Sequence, residues 1–331
     1  MIKLLLAFLF SFVLSASLMP FIIKFFKRKS AGQTILGYVE NHKDKNGTTT
    51  MGGVVFLITT LFIAFIFLKY DADWFICLLV SVFFGVLGFM DDFIKIKYKQ
   101  NLGLRAYQKI IGQVGISLIF AIFIYTSTQN GSIFIPFTDI QINIGLWIIP
   151  LIMLVLVATT NSVNLTDGLD GLAGSVSFVY LFFFTTISIF LANRLFMQGY
   201  TTKIIENFYN ISILSALFMG SILGFLLFNT FKAKIFMGDV GSLALGGYIG
   251  ASACMVGLEF LVIILGFCFV FSAVSVILQV AFFKAKRKRI FKMAPFHHHL
   301  QMSGLSEPKI VIIYSSLTIF LGVISVILYL L

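Results

Sequence analysis

WIIPLIMLVLVATTNSVNLTDGLDGLAG, residues 147–174, passes without a break from an uncharged apolar run into two asparagines, two aspartates and three glycines. Such a run is either a buried core helix or a membrane span, and the rest of the chain decides between them. Of 331 residues, 59% are hydrophobic and only 11% are charged, and the mean hydropathy is +1.03. A soluble domain carries about 25% charged residues. This chain lacks the charge to cover a water-facing surface, so it reads as an all-α integral membrane protein. The polar burst at 161–174 then marks the point where a membrane helix surfaces.

Windows of about 20 apolar residues predict ten transmembrane helices, near 4–26, 52–68, 74–90, 107–126, 145–160, 175–192, 208–228, 241–258, 260–283 and 311–330. No repeat or soluble domain interrupts them, so residues 1–331 read as a single polytopic domain. The first apolar stretch exceeds a signal-peptide core, and its basic cluster KFFKRK follows it, which fits a first span better than a leader. The eighth and ninth spans are separated only by Gly257 to Glu259. The segment 131–145 alternates around Pro136 and predicts a small external β-hairpin, and the polar segment 193–207 suggests a short interfacial helix.

With the N-terminus outside, one set of loops holds twenty of the 24 basic residues, leaving Lys3, Lys69, Arg194 and Lys203 on the other face. The positive-inside rule therefore places the basic loops in the cytoplasm and both termini outside. The net charge of +11 follows from this topology, with anionic headgroups of the lipid bilayer as neighbours and no nucleic acid as partner. Cys77, Cys254 and Cys268 lie in apolar runs with no paired spacing, so they indicate neither a disulfide framework nor a zinc site.

The chemistry collects on the basic face. Asp91, Asp92, Asp167, Asp170 and Asp239 all sit at predicted ends of apolar helices, where an ionised carboxylate needs a cation or a metal. Asp91 and Asp92 would close a helix against its macrodipole. Asp167 and Asp170 are interleaved with glycines that let backbone approach a ligand, or open a helix N-terminus of the kind that binds phosphate. Lysines and the triplet His297, His298 and His299 lie on the same face. Carboxylates without cysteine, beside basic groups, suit Mg²⁺ and a phosphate. No P-loop is present.

Five segments carry a resemblance: KNGTTTMGG (45–53), GFMDDFIK (88–95), NSVNLTDGLDGLAG (161–174), FNTFKAKIFMGDVGSLALGG (228–247) and KRIFKMAPFHHH (288–299). In that order they resemble the phospho-N-acetylmuramoyl-pentapeptide-transferases, within the polyprenyl-phosphate N-acetylhexosamine-1-phosphate transferase superfamily. The resemblance implies a bacterial inner-membrane enzyme of peptidoglycan synthesis with a cytoplasmic Mg²⁺ site. It would transfer phospho-MurNAc-pentapeptide from UDP-MurNAc-pentapeptide to undecaprenyl phosphate, giving lipid I and UMP. It implies that Asp91 and Asp92 serve the lipid phosphate and general-base roles, that Asp239 ligates the metal, and that His298 lies near the pyrophosphate. It matches Lys45, Thr50, Asn161, Asn164, Asp167, Asp170, Asn229, Phe236, His297 and His299 to nucleotide- or sugar-phosphate-binding positions, and Lys95 and Lys109 to basic positions of the second loop. Two positions depart from the family pattern: Thr49 replaces a proline, and Gln301 replaces an acid after the histidines. The rival readings are a sibling transferase using UDP-GlcNAc, against which the histidine triplet speaks, and a transporter or lipid flippase. A transporter is expected to carry charges near the membrane midplane and repeated halves. The sequence leaves oligomeric state open, a homodimer included.

Overall fold

The computed structural model describes residues 2–28, 48–100, 102–129, 131–135, 137–138 and 140–330. Twelve α-helices and one hairpin occur among them, beginning with α1 (Ile2–Arg28), α2 (Gly53–Phe67), α3 (Ala72–Tyr98) and α4 (Ala106–Ile124). The hairpin β1 (Ser132–Phe134) and β2 (Gln141–Asn143) precedes α5 (Ile148–Thr166), α6 (Leu172–Met197), α7 (Thr202–Asn229) and α8 (Gly238–Met255). The chain closes with α9 (Leu261–Leu265), α10 (Phe267–Lys286), α11 (Phe296–Gln301) and α12 (Glu307–Leu330). Eight of these are long and apolar enough to cross a membrane, α2 is a shorter apolar helix, and the chain is a multi-pass membrane protein.

Helices in lipid associate through close packing and polar contacts, because the tails solvate leucine as well as a protein does. The sequence supplies both. Ser11 and Ser15 of α1 donate to the Leu217 and Ser221 carbonyls of α7 at 2.6 and 2.8 Å. Ser81 of α3 donates to the Ala244 carbonyl of α8 at 2.9 Å. A Cβ on Gly53, at the start of α2, would lie 2.1 Å from the Gly241 Cα, so α2 and α8 meet backbone to backbone. The long α7 and the small-residue helix α8 are mostly buried, and the other helices pack around them.

The antiparallel hairpin appears where alternation predicts it, with Ile133 opposite Ile142. Several boundaries differ from the sequence expectation. The third span does not stop near 90: α3 runs on to Tyr98, so Asp91 and Asp92 lie inside a helix. Lys95, a turn further along α3, neutralises them there, which removes the electrostatic reason to end the helix. The fifth span likewise continues through Asn161 and Asn164 to Thr166. Segment 193–207 forms no separate interfacial helix; it holds the end of α6, a turn at Gly199, and the start of α7. The ninth span is broken at Gly266 into α9 and α10.

Candidate active site at the basic end

Four helices bring one carboxylate cluster together. Asp91 and Asp92 come from α3, Asp239 from the first turn of α8, Lys109 from α4 and Asn164 from the last turns of α5. One oxygen from each of Asp91, Asp92 and Asp239 lies within 4.8 Å of the others. Lys95 contacts the Asp91 carboxylate, reaches Asp239 Oδ2 at 3.3 Å and approaches Asp92 Oδ1 at 3.8 Å. Lys109 donates to the same Asp239 oxygen at 2.6 Å. Asn164 donates to the other Asp239 oxygen at 2.9 Å and to the Ser242 hydroxyl at 2.8 Å. Asp91 and Asp92 are buried at 3% and 4% exposure. Stranding either charge by removing its partners would cost about 3–5 kcal/mol, so the cluster is tightly held.

Backbone donors fix the carboxylates. Leu104 N–H donates to Asp91 Oδ1 at 2.8 Å, and Val240 N–H donates to Asp92 Oδ2 at 3.2 Å. Asp239 sits where a helix N-terminus favours an anion. The residue before it, Gly238, has φ +75°, and a Cβ there would lie 2.5 Å from Asp92 Oδ2 and 2.9 Å from the Thr50 hydroxyl. Thr50 is itself buried beside this turn. Its loop runs along the strand-like segment before α8: Phe236 N–H donates to the Thr49 carbonyl, and Gly52 N–H to the Phe236 carbonyl, both at 2.8 Å. The half-buried ring of Phe236 thus lies in the segment that leads directly into the first turn of α8, where Asp239 sits.

The stretch after α5 divides its labours. Asn161 exchanges hydrogen bonds with Gln113 of α4, at 2.8 and 3.3 Å. Asp167 caps α5 and accepts no hydrogen bond among the described residues. Its carboxyl is pushed well above the ordinary range by removal from water, and further by the charges of Asp239, Asp92 and Asp170. Asp170 accepts from Ala233 N–H at 3.0 Å. Asn229 accepts from Gly171 N–H at 3.1 Å and donates to the Ile235 carbonyl at 2.9 Å. Asp170 and Asn229 therefore tie the 167–171 turn to the loop that delivers Phe236 and Asp239.

The histidine triplet occupies α11, beside that turn. A Cβ on Gly168 would lie 2.4 Å from His297 Nε2 and 3.0 Å from His298 Nε2. His297 is fully buried with neither ring nitrogen hydrogen-bonded among the described residues, and burial, helped by the charge of His298, lowers its pKa to about 3. His299 accepts from Lys292 N–H at 3.1 Å and packs on Phe291 and Phe296. His298 Nδ1 pairs with Gln301 Oε1 at 3.1 Å, and its Nε2 lies beside the Gly168 turn. Lys45 lies outside the described residues.

Sequence reasoning missed the groups that position these side chains. Leu104 and Val240 act through backbone N–H groups, which carry no residue-type signal. Ser242 and Glu307 were legible in principle. Ser242 lies one turn of helix from Asp239. Glu307 is an acid opening an apolar helix, and it accepts from Asp170 N–H and from Gln301 at 3.4 Å each.

The sequence model of Glycosyl transferase family 4 matches residues 74–257. Three curated proteins, each called phospho-N-acetylmuramoyl-pentapeptide-transferase, align over nearly the whole chain. The one from Clostridium novyi is 41% identical over 96% of this chain and 94% of its own length. That from Halalkalibacterium halodurans is 40% identical over 98% and 96%. That from Clostridioides difficile is 41% identical over 98% and 95%.

Proposed function

The chain belongs to the phospho-N-acetylmuramoyl-pentapeptide-transferases, and on that premise we propose that it moves phospho-MurNAc-pentapeptide from its UDP carrier onto undecaprenyl phosphate. The products are lipid I and UMP, in peptidoglycan synthesis. The observation that carries this reading is the cluster of Asp91, Asp92 and Asp239, with oxygens within 4.8 Å, under Lys95 and Lys109. Three hard oxygen donors beside two ammonium groups fit a Mg²⁺ ion shared with phosphate oxygens. Asp239 would hold that ion, with Asp91 or Asp92 beside it. When bound, the ion would supply positive charge to the pyrophosphate and its leaving group.

The residues of the chain do the rest. The acceptor phosphate is mostly ionised at neutral pH, since such second pKa values lie near about 6, so two anions must be brought together. Lys95 and Lys109 lower that repulsion by exchanging carboxylate partners for phosphate oxygens. Asp91 or Asp92 takes the proton that remains on the acceptor, an effect of roughly 10²–10⁴ in rate. An acceptor oxygen then attacks the sugar-linked phosphorus, that phosphorus parts from the oxygen bridging it to the nucleotide phosphate, and UMP departs with the electron pair. Phe236 stacks on the uracil, and His298 donates to the pyrophosphate. Thr50, Asn164, Asp167, Asp170 and Asn229 line or brace the donor side.

These groups come from segments between 50 and 298, which supports one catalytic domain spanning the chain. The positive-inside rule supports a site facing the cytoplasm from the bacterial inner membrane. The test is purified protein with undecaprenyl phosphate and either UDP-MurNAc-pentapeptide or UDP-GlcNAc, following UMP. Release with the first donor alone is expected, and release only with UDP-GlcNAc would overturn the donor assignment.

A further inference from the structure

The hydrogen bonds around the histidine triplet fix which ring nitrogens carry protons. A neutral imidazole donates from one nitrogen and accepts at the other, so the partner of one sets the state of the other. His299 Nδ1 accepts from the Lys292 N–H at 3.1 Å, which leaves the proton of neutral His299 on Nε2. The partner of His298 Nδ1 is the Gln301 side chain at 3.1 Å, and a side-chain amide can either donate or accept.

Glu307 decides that orientation. It opens α12 and is buried at 7% exposure. Its Oε2 accepts from the Asp170 N–H and its Oε1 from the Gln301 amide, at 3.4 Å each. A carboxylate offers only lone pairs, so Gln301 turns its NH₂ toward Glu307 and its Oε1 toward His298. An amide oxygen only accepts, so His298 Nδ1 carries a proton. Its Nε2, beside the Gly168 turn, is then protonated only when the ring is cationic. The titratable groups about this ring are His297, with ring centroids 4.4 Å apart, Glu307, and Asp167 and Asp170 on either side of Gly168. His297 stays neutral, its pKa lowered to about 3 chiefly by burial, and the others are acids, so none opposes a cation on His298.

We propose that Glu307 and Gln301 are positioning residues that act in series, holding His298 in its Nδ1–H form so that Nε2 donates to the pyrophosphate only as the imidazolium. Adjacent histidines are thereby kept in opposite tautomers. The catalytic half of this inference rests on the proposed contact between His298 and the pyrophosphate. A hydrogen bond from a cation to an anion is about twice as strong as a neutral one. His298 thus joins Lys95 and Lys109 as a cation, and its charge fails as the ring loses its proton at alkaline pH.

The first test needs no substrate. Heteronuclear NMR of the full chain in detergent, with isotopically labelled histidine nitrogens and a pH above the imidazole range, reports which nitrogen bears the proton. His298→Asn and His299→Asn difference spectra assign the rings. A protonated Nδ1 at His298 and a protonated Nε2 at His299 are expected. Neutral His298 with its proton on Nε2 would overturn the proposal, whichever donor the enzyme uses. The second test follows UMP release against pH. Gln301→Leu, which removes the acceptor, should lower kcat about 10-fold or more, the scale seen for groups that orient metal-bound histidines. The exchange of Gln301→Glu with Glu307→Gln keeps each hydrogen bond and puts the carboxylate directly on His298 Nδ1. It should restore most of kcat and carry the alkaline limb of the profile to higher pH. A merely structural contact would be restored without moving that limb, so an unmoved limb would overturn the positioning role.

Discussion

Replacing Gly238 by alanine should disable catalysis while leaving the fold standing. Gly238 has φ +75°, a left-handed conformation that costs a residue with Cβ about 1–2 kcal/mol. The added carbon would also lie 2.5 Å from Asp92 Oδ2, 2.9 Å from the Thr50 hydroxyl and 3.0 Å from Met51 N. Contact at that range must push the Asp92 carboxylate away from the Val240 N–H that holds it at 3.2 Å. A misplacement of about 1 Å in a catalytic group costs on the order of 10²-fold in rate. Gly171 supplies the control, because its φ is also +75° but its nearest neighbour to an added Cβ is 3.7 Å away. Gly171→Ala therefore bears the backbone strain without the collision. Turnover from UMP release, measured beside thermal unfolding in detergent, separates the two. Both variants should lose stability, Gly238→Ala the more, and only Gly238→Ala should lose about 100-fold or more in kcat. Equal kcat in the two variants would refute the reasoning that Asp92 is held in place by the absence of a side chain at 238.

Thorough chelation should abolish UMP release and Mg²⁺ should restore it, while Asp239→Ala stays folded and inactive at any Mg²⁺ concentration; full activity in either case removes the metal assignment. Phe236→Ala should raise KM for the UDP-sugar about 10-fold with kcat nearly kept, and an unchanged KM would end the stacking role. His298→Ala should lower kcat with little change in unfolding temperature, whereas His297→Ala, which empties a fully buried site against Tyr314, should lower the unfolding temperature; the reverse pattern would exchange their roles. Glu259, in the turn between α8 and α9, is 4% exposed, and burial raises its pKa from 4.5 to about 7. A raised acid stabilises the fold below its unfolded pKa and loses that contribution as pH climbs through the folded one, here about 3 kcal/mol between pH 4.5 and pH 8. Glu259→Gln should thus unfold at higher temperature than wild type at pH 8, with the gap closing toward pH 5; a gap independent of pH would refute it.

The spans were legible because a bilayer imposes a length on apolar runs, and the hairpin because alternation around Pro136 has period two. The helix ends were not. Hydropathy falls at Asp91, yet α3 continues to Tyr98, because hydropathy scores one residue at a time and Lys95 cancels the carboxylates a turn away. The glycine-rich stretch 161–174 read equally as loop or helix, and it is both: helix through Thr166, then a turn, then α6 from Leu172. The division of tasks within the histidine triplet was invisible, since three identical residues on a short helix differ only in what the neighbouring helices place against them.

The position of the site follows from one physical conflict. Three carboxylates that can share a metal must approach within 4.8 Å, and their mutual repulsion grows as water is removed. Setting Asp91 and Asp92 on one helix and Asp239 on another lets the close glycine contacts of α8 bring them together. That approach is held by Lys95 and Lys109, whose ammonium groups both fall on Asp239 Oδ2. Those lysines are also the groups that the proposed mechanism offers to an incoming pyrophosphate. In the proposed mechanism the charges that hold the cluster pass to substrate, an exchange that side-chain rotation can accomplish while the helices stay fixed. A site built this way keeps its carboxylates assembled before substrate arrives, which is the arrangement that positioning catalysis demands.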